Sequence, residues 1–159
     1  MKKRIIALGL LWCLSAVMLQ AARVDTVLVR SAAMNKDVKV VYVLPDKAIG
    51  KQACPVVYLL HGYGGNARSW VQLKPELPQM ADEKGIIFVC PDGKNSWYWD
   101  SPENPAYRYE TFVTSELVKY TDGNYATIPD RKARAISGLS MGGHGALWSA
   151  IRHKDVFGA

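Results

Sequence analysis

The sequence has few cysteines and no internal repeat. These two features exclude a small disulfide-stabilised protein and a repeat protein. Its 159 residues include three cysteines, Cys13, Cys54 and Cys90, whereas small disulfide-stabilised proteins contain far more. No segment recurs with a period of about 20–50 residues, which excludes a solenoid. A composition of 49% hydrophobic and 21% charged residues is that of one soluble globular domain.

The sequence also lacks an apolar run long enough for a typical transmembrane helix. Lys2, Lys3 and Arg4 precede an uncharged run over residues 5–19, which is shorter than the ~20 residues that span a bilayer. Small residues follow, so we predict a secretory signal peptide over residues 1–22 and a domain over residues 23–159. The protein is then expected to be secreted or periplasmic, with no stable membrane association. The alternative is a retained membrane anchor.

The charge of the chain gives no sign of a nucleic-acid partner. Lysine and arginine exceed aspartate and glutamate by 20 to 14, for a formal net charge of +6. Three of the basic residues belong to the predicted leader, and the rest form neither a basic helix nor a stripe of aromatic and basic residues. We therefore expect no nucleic acid to bind.

The pattern of apolar runs predicts an α/β fold. Residues 24–30 and 38–44 are β-branched and predict an antiparallel pair at a sheet edge. Residues 56–60 and 86–89 are wholly apolar, as is typical of parallel strands covered on both faces, and residues 133–137 predict a third central strand. Helices are expected between and after these strands, over residues 70–84, 102–120 and 141–153.

This arrangement separates the two cysteines of the predicted domain. Cys54 precedes one central strand and Cys90 ends its parallel neighbour. Their Cα atoms would then lie roughly 15–20 Å apart, beyond the ~7 Å that a disulfide can bridge. We expect two buried free thiols.

A G-x-S-x-G motif over residues 138–142 joins the predicted third central strand to the helix after it. A nucleophile elbow needs this context, because its sharp turn exposes the serine at the edge of the sheet. Gly138 and Gly142 leave room for neighbouring backbone, and the helix N-terminus favours negative charge. The motif predicts Ser140 as a nucleophile; the alternative is a plain glycine-rich turn.

A second glycine-rich loop, His61-Gly62-Tyr63-Gly64-Gly65, follows the strand over residues 56–60. A nucleophilic serine needs backbone N–H donors for the oxyanion of its intermediate. In this fold one donor is the residue after the nucleophile, here Met141, and the other lies in this loop. We predict Tyr63 as the second donor, with Gly62 letting the backbone bend; the alternative is an ordinary turn.

Four segments together, residues 58–65, 91–93, 95–98 and 138–143, resemble the esterase D family of α/β hydrolases. This family includes S-formylglutathione hydrolases, feruloyl, acetyl and tributyrin-type esterases, and mycolyltransferases. The resemblance implies an α/β-hydrolase fold with a mostly parallel, doubly wound sheet. It also implies a serine hydrolase of esters or thioesters that uses no cofactor and no metal. Under it Ser140 is the nucleophile, Tyr63 and Met141 form the oxyanion hole, and His61 positions the loop.

The sequence departs from the family after Ser140. The acid and base of the triad follow the nucleophile in this fold, but only His144, His153 and Asp155 do so here, and none is expected to reach Ser140. An eight-stranded sheet also needs about 240 residues. We therefore expect the N-terminal part of an esterase, truncated after the nucleophile helix and inactive alone. Its open apolar sheet edge would favour aggregation or a homo-oligomer.

Aromatic residues near the predicted site bear on the substrate. We predict contacts with a sugar or hydroxycinnamoyl group at three residues, His61, Trp97 and Tyr98. The alternative for Trp97 and Tyr98 is that their rings pack beneath the loops as core. Secretion favours acyl groups on polysaccharide, such as feruloyl or acetyl esters, or small extracellular esters. The leading interpretation is a secreted serine carboxylesterase. The alternatives are an acyltransferase of the same fold and a catalytically incomplete binding module.

Overall fold

Five strands form one mixed sheet in the computed structural model of the protein, which describes residues 22–159. The strands are β1 (Arg23–Ser31), β2 (Lys36–Leu44), β3 (Val56–Leu60), β4 (Ile87–Pro91) and β5 (Arg134–Gly138). Their spatial order is β1-β2-β4-β3-β5. β2 is antiparallel to β1 and β4, whereas β3 is parallel to β4 and β5. The predicted antiparallel edge and parallel centre are confirmed.

The predicted leader lies outside the described residues, apart from Ala22. This residue is buried, and its N–H donates to the Asp82 carboxylate at 2.7 Å. No helix within residues 22–159 is long and apolar enough to cross a membrane.

The helices lie in the predicted connections, but their bounds differ from the prediction. They are α1 (Asp46–Ile49), α2 (Ser69–Leu73), α3 (Leu77–Lys84), α4 (Tyr109–Thr111), α5 (Leu117–Asn124) and α6 (Met141–Arg152). The crossover expected over residues 70–84 divides into α2 and α3, because Pro75 lies between them and cannot donate a helical hydrogen bond. A π-helical turn (Phe112–Glu116) joins α4 to α5, and a 3-10 turn (Arg131–Ala133) precedes β5.

The second crossover begins seven residues later than the predicted start at residue 102. Asp100 lies outside the helix and accepts hydrogen bonds from the Thr111 N–H at 3.0 Å and the Thr111 hydroxyl at 2.5 Å. These bonds satisfy an N–H group in the first turn that has no partner within the helix. A carboxylate from outside the helix therefore fixes where α4 begins.

Apolar residues cover both faces of the sheet, which confirms the doubly wound arrangement. Successive residues of β2 point to opposite faces, as strand geometry requires. One face packs against α4–α6, in a core that includes Val40, Tyr42, Tyr58, Val89, Phe112, Leu117 and Met141. The other face packs against α3, in a core that includes Val41, Val43, Leu59, Phe88, Leu77 and Ala81.

β5 lies at the edge of the described sheet, as expected, but its outer side is not fully open. The Gly158 N–H donates to the Arg134 carbonyl at 2.9 Å, and the Ile136 N–H donates to the Ala159 carbonyl at 2.9 Å. The first half of β5 thus has backbone partners on both sides.

Both cysteines of the domain are buried and free, as predicted. Burial raises the pKa of the Cys90 thiol to about 12, and burial also raises the pKa of Cys54. The thiolate is the reactive form of cysteine, so neither side chain is suited to nucleophilic or redox chemistry.

We expect the two thiols to resist a disulfide-exchange reagent such as DTNB in the native protein. A chain limited to residues 23–159 lacks Cys13, so the reaction then reports on Cys54 and Cys90 alone. Slow labelling of both thiols in the native protein, and labelling of two thiols per chain after denaturation, would agree with their burial. One fast equivalent in the folded protein would contradict it.

Candidate active site

Ser140 occupies a strained turn between β5 and α6. Its backbone has φ 53° and ψ −115°, a combination that residues other than glycine rarely adopt. The Leu139 N–H donates to the Leu60 carbonyl at 3.2 Å, and the Gly142 N–H donates to the Leu139 carbonyl at 2.8 Å. These bonds fix both sides of the turn and leave Ser140 exposed. The structure thus has the strand, turn and helix that an elbow requires.

Gly138 and Gly142 are sites where neighbouring backbone excludes a side chain. A Cβ atom at Gly138 would lie 2.2 Å from the Gly142 carbonyl group, and one at Gly142 would lie 2.2 Å from the Leu60 carbonyl oxygen. Gly62 has more room, since a Cβ there would lie 3.4 Å from the Leu139 carbonyl oxygen and 3.7 Å from the Ser140 Cβ. The contact with the Ser140 Cβ places the His61–Gly65 loop directly beside Ser140.

Two backbone N–H groups next to Ser140 are unused. Within residues 22–159, no hydrogen bond uses the N–H of Tyr63 or of Met141. Met141 is the first residue of α6, where N–H groups have no partner inside the helix and the helix dipole favours negative charge. Tyr63 follows Gly62, and its side chain points into solvent. Free N–H groups at these two positions are what an oxyanion hole requires.

His61 is buried, and both of its ring nitrogens have partners. Nδ1 lies 2.7 Å from the Gly62 carbonyl oxygen, and the Gly93 N–H donates to Nε2 at 2.9 Å. Because Nε2 accepts, the Nδ1–H group donates to the Gly62 carbonyl. This burial corrects the expectation that His61 contacts a substrate; its contacts join the β3 loop to the β4 loop.

Tyr98 is also buried, which corrects the expectation of a substrate contact there. The His61 N–H donates to its hydroxyl oxygen at 3.0 Å, and burial raises the pKa of the phenol well above its ordinary value. The alternative reading, a ring packed beneath the loops, describes Tyr98 in this structure.

Trp97 differs from its neighbour, because its side chain is 47% exposed. Its ring lies edge-on to His144, with centroids 5.5 Å apart. Trp97, Trp99 and His144 line an open pocket of about 230 Å³. Of the three predicted substrate contacts, Trp97 is the one whose position leaves it free to touch a ligand.

Asp92 follows β4 and supports the same group of loops. It accepts from the Lys94 N–H at 3.0 Å and from Lys94 Nζ at 2.8 Å, and Oδ1 lies 3.6 Å from His61 Nε2. Burial acts to raise the pKa of Asp92, but the hydrogen bonds and positive charge of Lys94 outweigh it and hold that pKa below its ordinary value. Asp92 is therefore an ionised residue that shapes the turn.

The two histidines after Ser140 have other partners among the described residues. His144 Nδ1 lies 3.0 Å from the Trp97 carbonyl oxygen, and its ring stacks on Trp148. His153 Nε2 lies 2.8 Å from Glu110 Oε1. No hydrogen bond within residues 22–159 joins either ring to Ser140.

Glu110 and Asn95 have connecting roles that the sequence did not reveal. Glu110 is buried in α4 and accepts from Trp148 at 2.7 Å, Arg152 at 2.8 Å and His153, all on or next to α6. Burial acts to raise the pKa of Glu110, but these hydrogen bonds lower it, so the group stays ionised. Asn95 Oδ1 accepts from the Gly64 N–H at 2.8 Å. Each contact joins distant segments, so no local pattern could have predicted it.

The sequence model of the family named Esterase matches residues 31–159. The chain belongs to this esterase family. Together with the structural neighbours, this match confirms the α/β-hydrolase fold that the sequence resemblance implied.

Individual relatives carry several activities. An acetyl esterase of Caldicellulosiruptor saccharolyticus is 28% identical over 135 residues, which cover 80% of this chain and 50% of that protein. A diacylglycerol acyltransferase/mycolyltransferase of Mycobacterium gordonae is 33% identical over 144 residues, covering 84% of this chain and 40% of that protein. The solved structure of a ferulic acid esterase is 30% identical, with a TM-score of 0.74, covering 87% of this chain and 58% of that one. The chain spans about half the length of the curated relatives it matches.

We expect Gly142→Ala to destabilise the protein by roughly 1–3 kcal/mol, because the added methyl group has no room against the Leu60 carbonyl. Gly123→Ala is the matched control, since a Cβ at this position of α5 meets no atom within 4 Å. This control should stabilise the protein by about 0.5–1 kcal/mol through a lower helix entropy cost. Urea denaturation measures both values; equal values for the two variants would refute the close approach.

Proposed function

We propose that the protein is the N-terminal part of a serine carboxylesterase that hydrolyses acyl esters through an acyl-enzyme on Ser140. The observation that carries the proposal is an exposed, strained Ser140 beside two unused N–H groups, on Tyr63 and Met141. Membership of the esterase family supports the same reaction class.

In the proposed reaction, Ser140 Oγ attacks the acyl carbon and the carbonyl π electrons move to its oxygen. The N–H groups of Tyr63 and Met141 would stabilise that oxyanion. Its collapse breaks the bond to the alkoxy oxygen, which takes up a proton and leaves as the alcohol. Water then attacks the acyl-enzyme in the same way, which releases the acid and regenerates Ser140.

Attack by Ser140 requires a base that accepts its proton. The described contacts of His144 and His153 give neither ring this role. We propose that the triad acid and base lie outside these 159 residues and that the chain alone is inactive. Sequencing the gene past the codon for Ala159 tests this: a continuing frame with a later Asp and a final His supports it, and an immediate stop codon refutes it.

We propose acyl groups on polysaccharide, feruloyl or acetyl, as the substrate class. The relatives named acetyl esterase and ferulic acid esterase support it, as does the aromatic pocket of Trp97, Trp99 and His144. The basic and apolar N-terminal segment supports secretion. The proposed reaction needs no cofactor or metal.

Exposed apolar residues support a further proposal, that the chain forms a homo-oligomer. Leu139, Leu147 and Ile151 are each at least half exposed, beside β5 and along α6. Sedimentation of the chain over residues 23–159 should show a dimer or larger species. A monomer at all concentrations would refute it.

We expect Ser140→Ala, in the complete product of the reading frame, to lower hydrolysis of a short-chain p-nitrophenyl ester by on the order of 10⁴-fold or more. Ser115→Ala is the matched control, because it removes the same hydroxyl group from a serine in a different element, the π-helical turn before α5. A urea midpoint equal to that of the parent protein would show that Ser140→Ala keeps its fold. Unchanged turnover would rule out Ser140 as the nucleophile.

An acyltransferase of the same fold is the second candidate, supported by the mycolyltransferase relative. It would form the same acyl-enzyme but transfer the acyl group to a sugar hydroxyl. Adding a sugar acceptor to the same assay separates the two: free acid favours the esterase, and acylated sugar favours the transferase. Sugar binding with no labelling of Ser140 by a fluorophosphonate would instead favour a binding module.

A further inference from the structure

We propose that Asn95 and Tyr98 are positioning residues for the oxyanion donor at Tyr63. They hold the backbone on both sides of Tyr63 and so aim its N–H at the intermediate. This inference rests on the proposed function, because it assigns a role to residues that support the same reaction.

Tyr63 lies between two backbone groups that the β4 loop holds. The His61 N–H donates to the Tyr98 hydroxyl oxygen at 3.0 Å, and the Gly64 N–H donates to Asn95 Oδ1 at 2.8 Å. The Gly65 N–H also donates to the Gly62 carbonyl at 3.0 Å and closes the turn. The loop is thus fixed before and after Tyr63, while the Tyr63 N–H itself has no partner among residues 22–159.

Tyr98 is held firmly enough to act as an anchor. Its ring fills the space where glycines leave room, since a Cβ at Gly93 or Gly145 would lie 2.2 Å or 2.5 Å from Tyr98 atoms. Gly145 belongs to α6, so the same ring packs against the helix that follows Ser140. Trp97 and Tyr98 both have φ 57°, and the Trp97 carbonyl oxygen lies 3.0 Å from His144 Nδ1.

His61 anchors the start of the loop, but no side chain at Tyr63 or Gly64 anchors the part that carries the donor. Tyr63 and Gly64 are exposed, and Gly64 has φ 76°. An oxyanion donor contributes most when its direction is fixed before the reaction. A donor that must be ordered during the reaction loses part of that contribution, so weakening either anchor should slow the chemical step.

The first test compares two tyrosines in the complete product of the reading frame, with a neutral short-chain ester. Tyr98→Phe removes the hydroxyl group and keeps the ring. We expect kcat to fall about tenfold with KM unchanged within about twofold, as for an interaction made in the transition state. Tyr42→Phe is the matched control: Tyr42 is equally buried, and its hydroxyl hydrogen-bonds Thr121 at 2.9 Å, away from the loops. It should lower Tm similarly and leave kcat unchanged.

The second test uses exposed residues, so that folding is not at issue. Asn95→Ala should lower kcat by several-fold with Tm unchanged. Asn104→Ala is its control, because Asn104 is exposed and its side chain accepts only from the nearby Ala106 N–H in the described contacts. An alkyl boronic acid forms a tetrahedral adduct with a serine. It should bind Tyr98→Phe and Asn95→Ala more weakly than the parent, in proportion to the loss of kcat/KM in each variant.

The outcomes separate the proposal from the proposed function. If Ser140→Ala abolishes activity but Tyr98→Phe and Asn95→Ala both keep kcat within twofold, the positioning roles are refuted and the esterase stands. Equal losses of kcat in Tyr98→Phe and Tyr42→Phe would also refute a role for Tyr98 beyond stability. If Ser140→Ala remains active, the proposed function itself fails.

Discussion

The close approach of the α6 N-terminus to the end of β3 is the constraint on which the candidate site depends. Gly142 lies against the Leu60 and His61 carbonyls with no space for a side chain. This contact carries the Ser140 backbone into a conformation that costs about 1–3 kcal/mol, which the hydrogen bond from Leu139 to Leu60 helps to offset. The strained backbone of Ser140 is thus held in place, and the N–H of Met141 has no partner among residues 22–159 because α6 begins at that residue.

The sheet then brings three loops to one edge, because β3, β4 and β5 are parallel and their carboxyl ends coincide. The β4 loop is the one that connects the others. It contacts the β3 loop through Gly93 and His61, and it contacts α6 through the Tyr98 ring at Gly145. The loop that carries Tyr63 and the helix that follows Ser140 therefore share a common support.

The features that sequence predicts here are those with a local physical cause. Wholly apolar runs predicted β3 and β4 because both faces of the sheet are buried, and the spacing of Gly138 and Gly142 predicted the elbow. The start of α4 was misplaced because Asp100, from outside the helix, determines it. The sequence left Tyr98 open between a substrate contact and a ring packed beneath the loops, because its inward position depends on a positive φ at a residue other than glycine, for which the local sequence has no signal.

The site as proposed separates the groups that would stabilise the intermediate from the side chains that would select the substrate. The proposed oxyanion donors are backbone N–H groups, which every residue except proline supplies whatever its side chain. The neighbouring loops also carry exposed side chains, those of Tyr63, Trp97 and Trp99. Substitutions there can reshape the pocket without moving the donors, provided that the buried supports beneath them stay in place. An acetyl esterase, a ferulic acid esterase and an acyltransferase can thus share this frame.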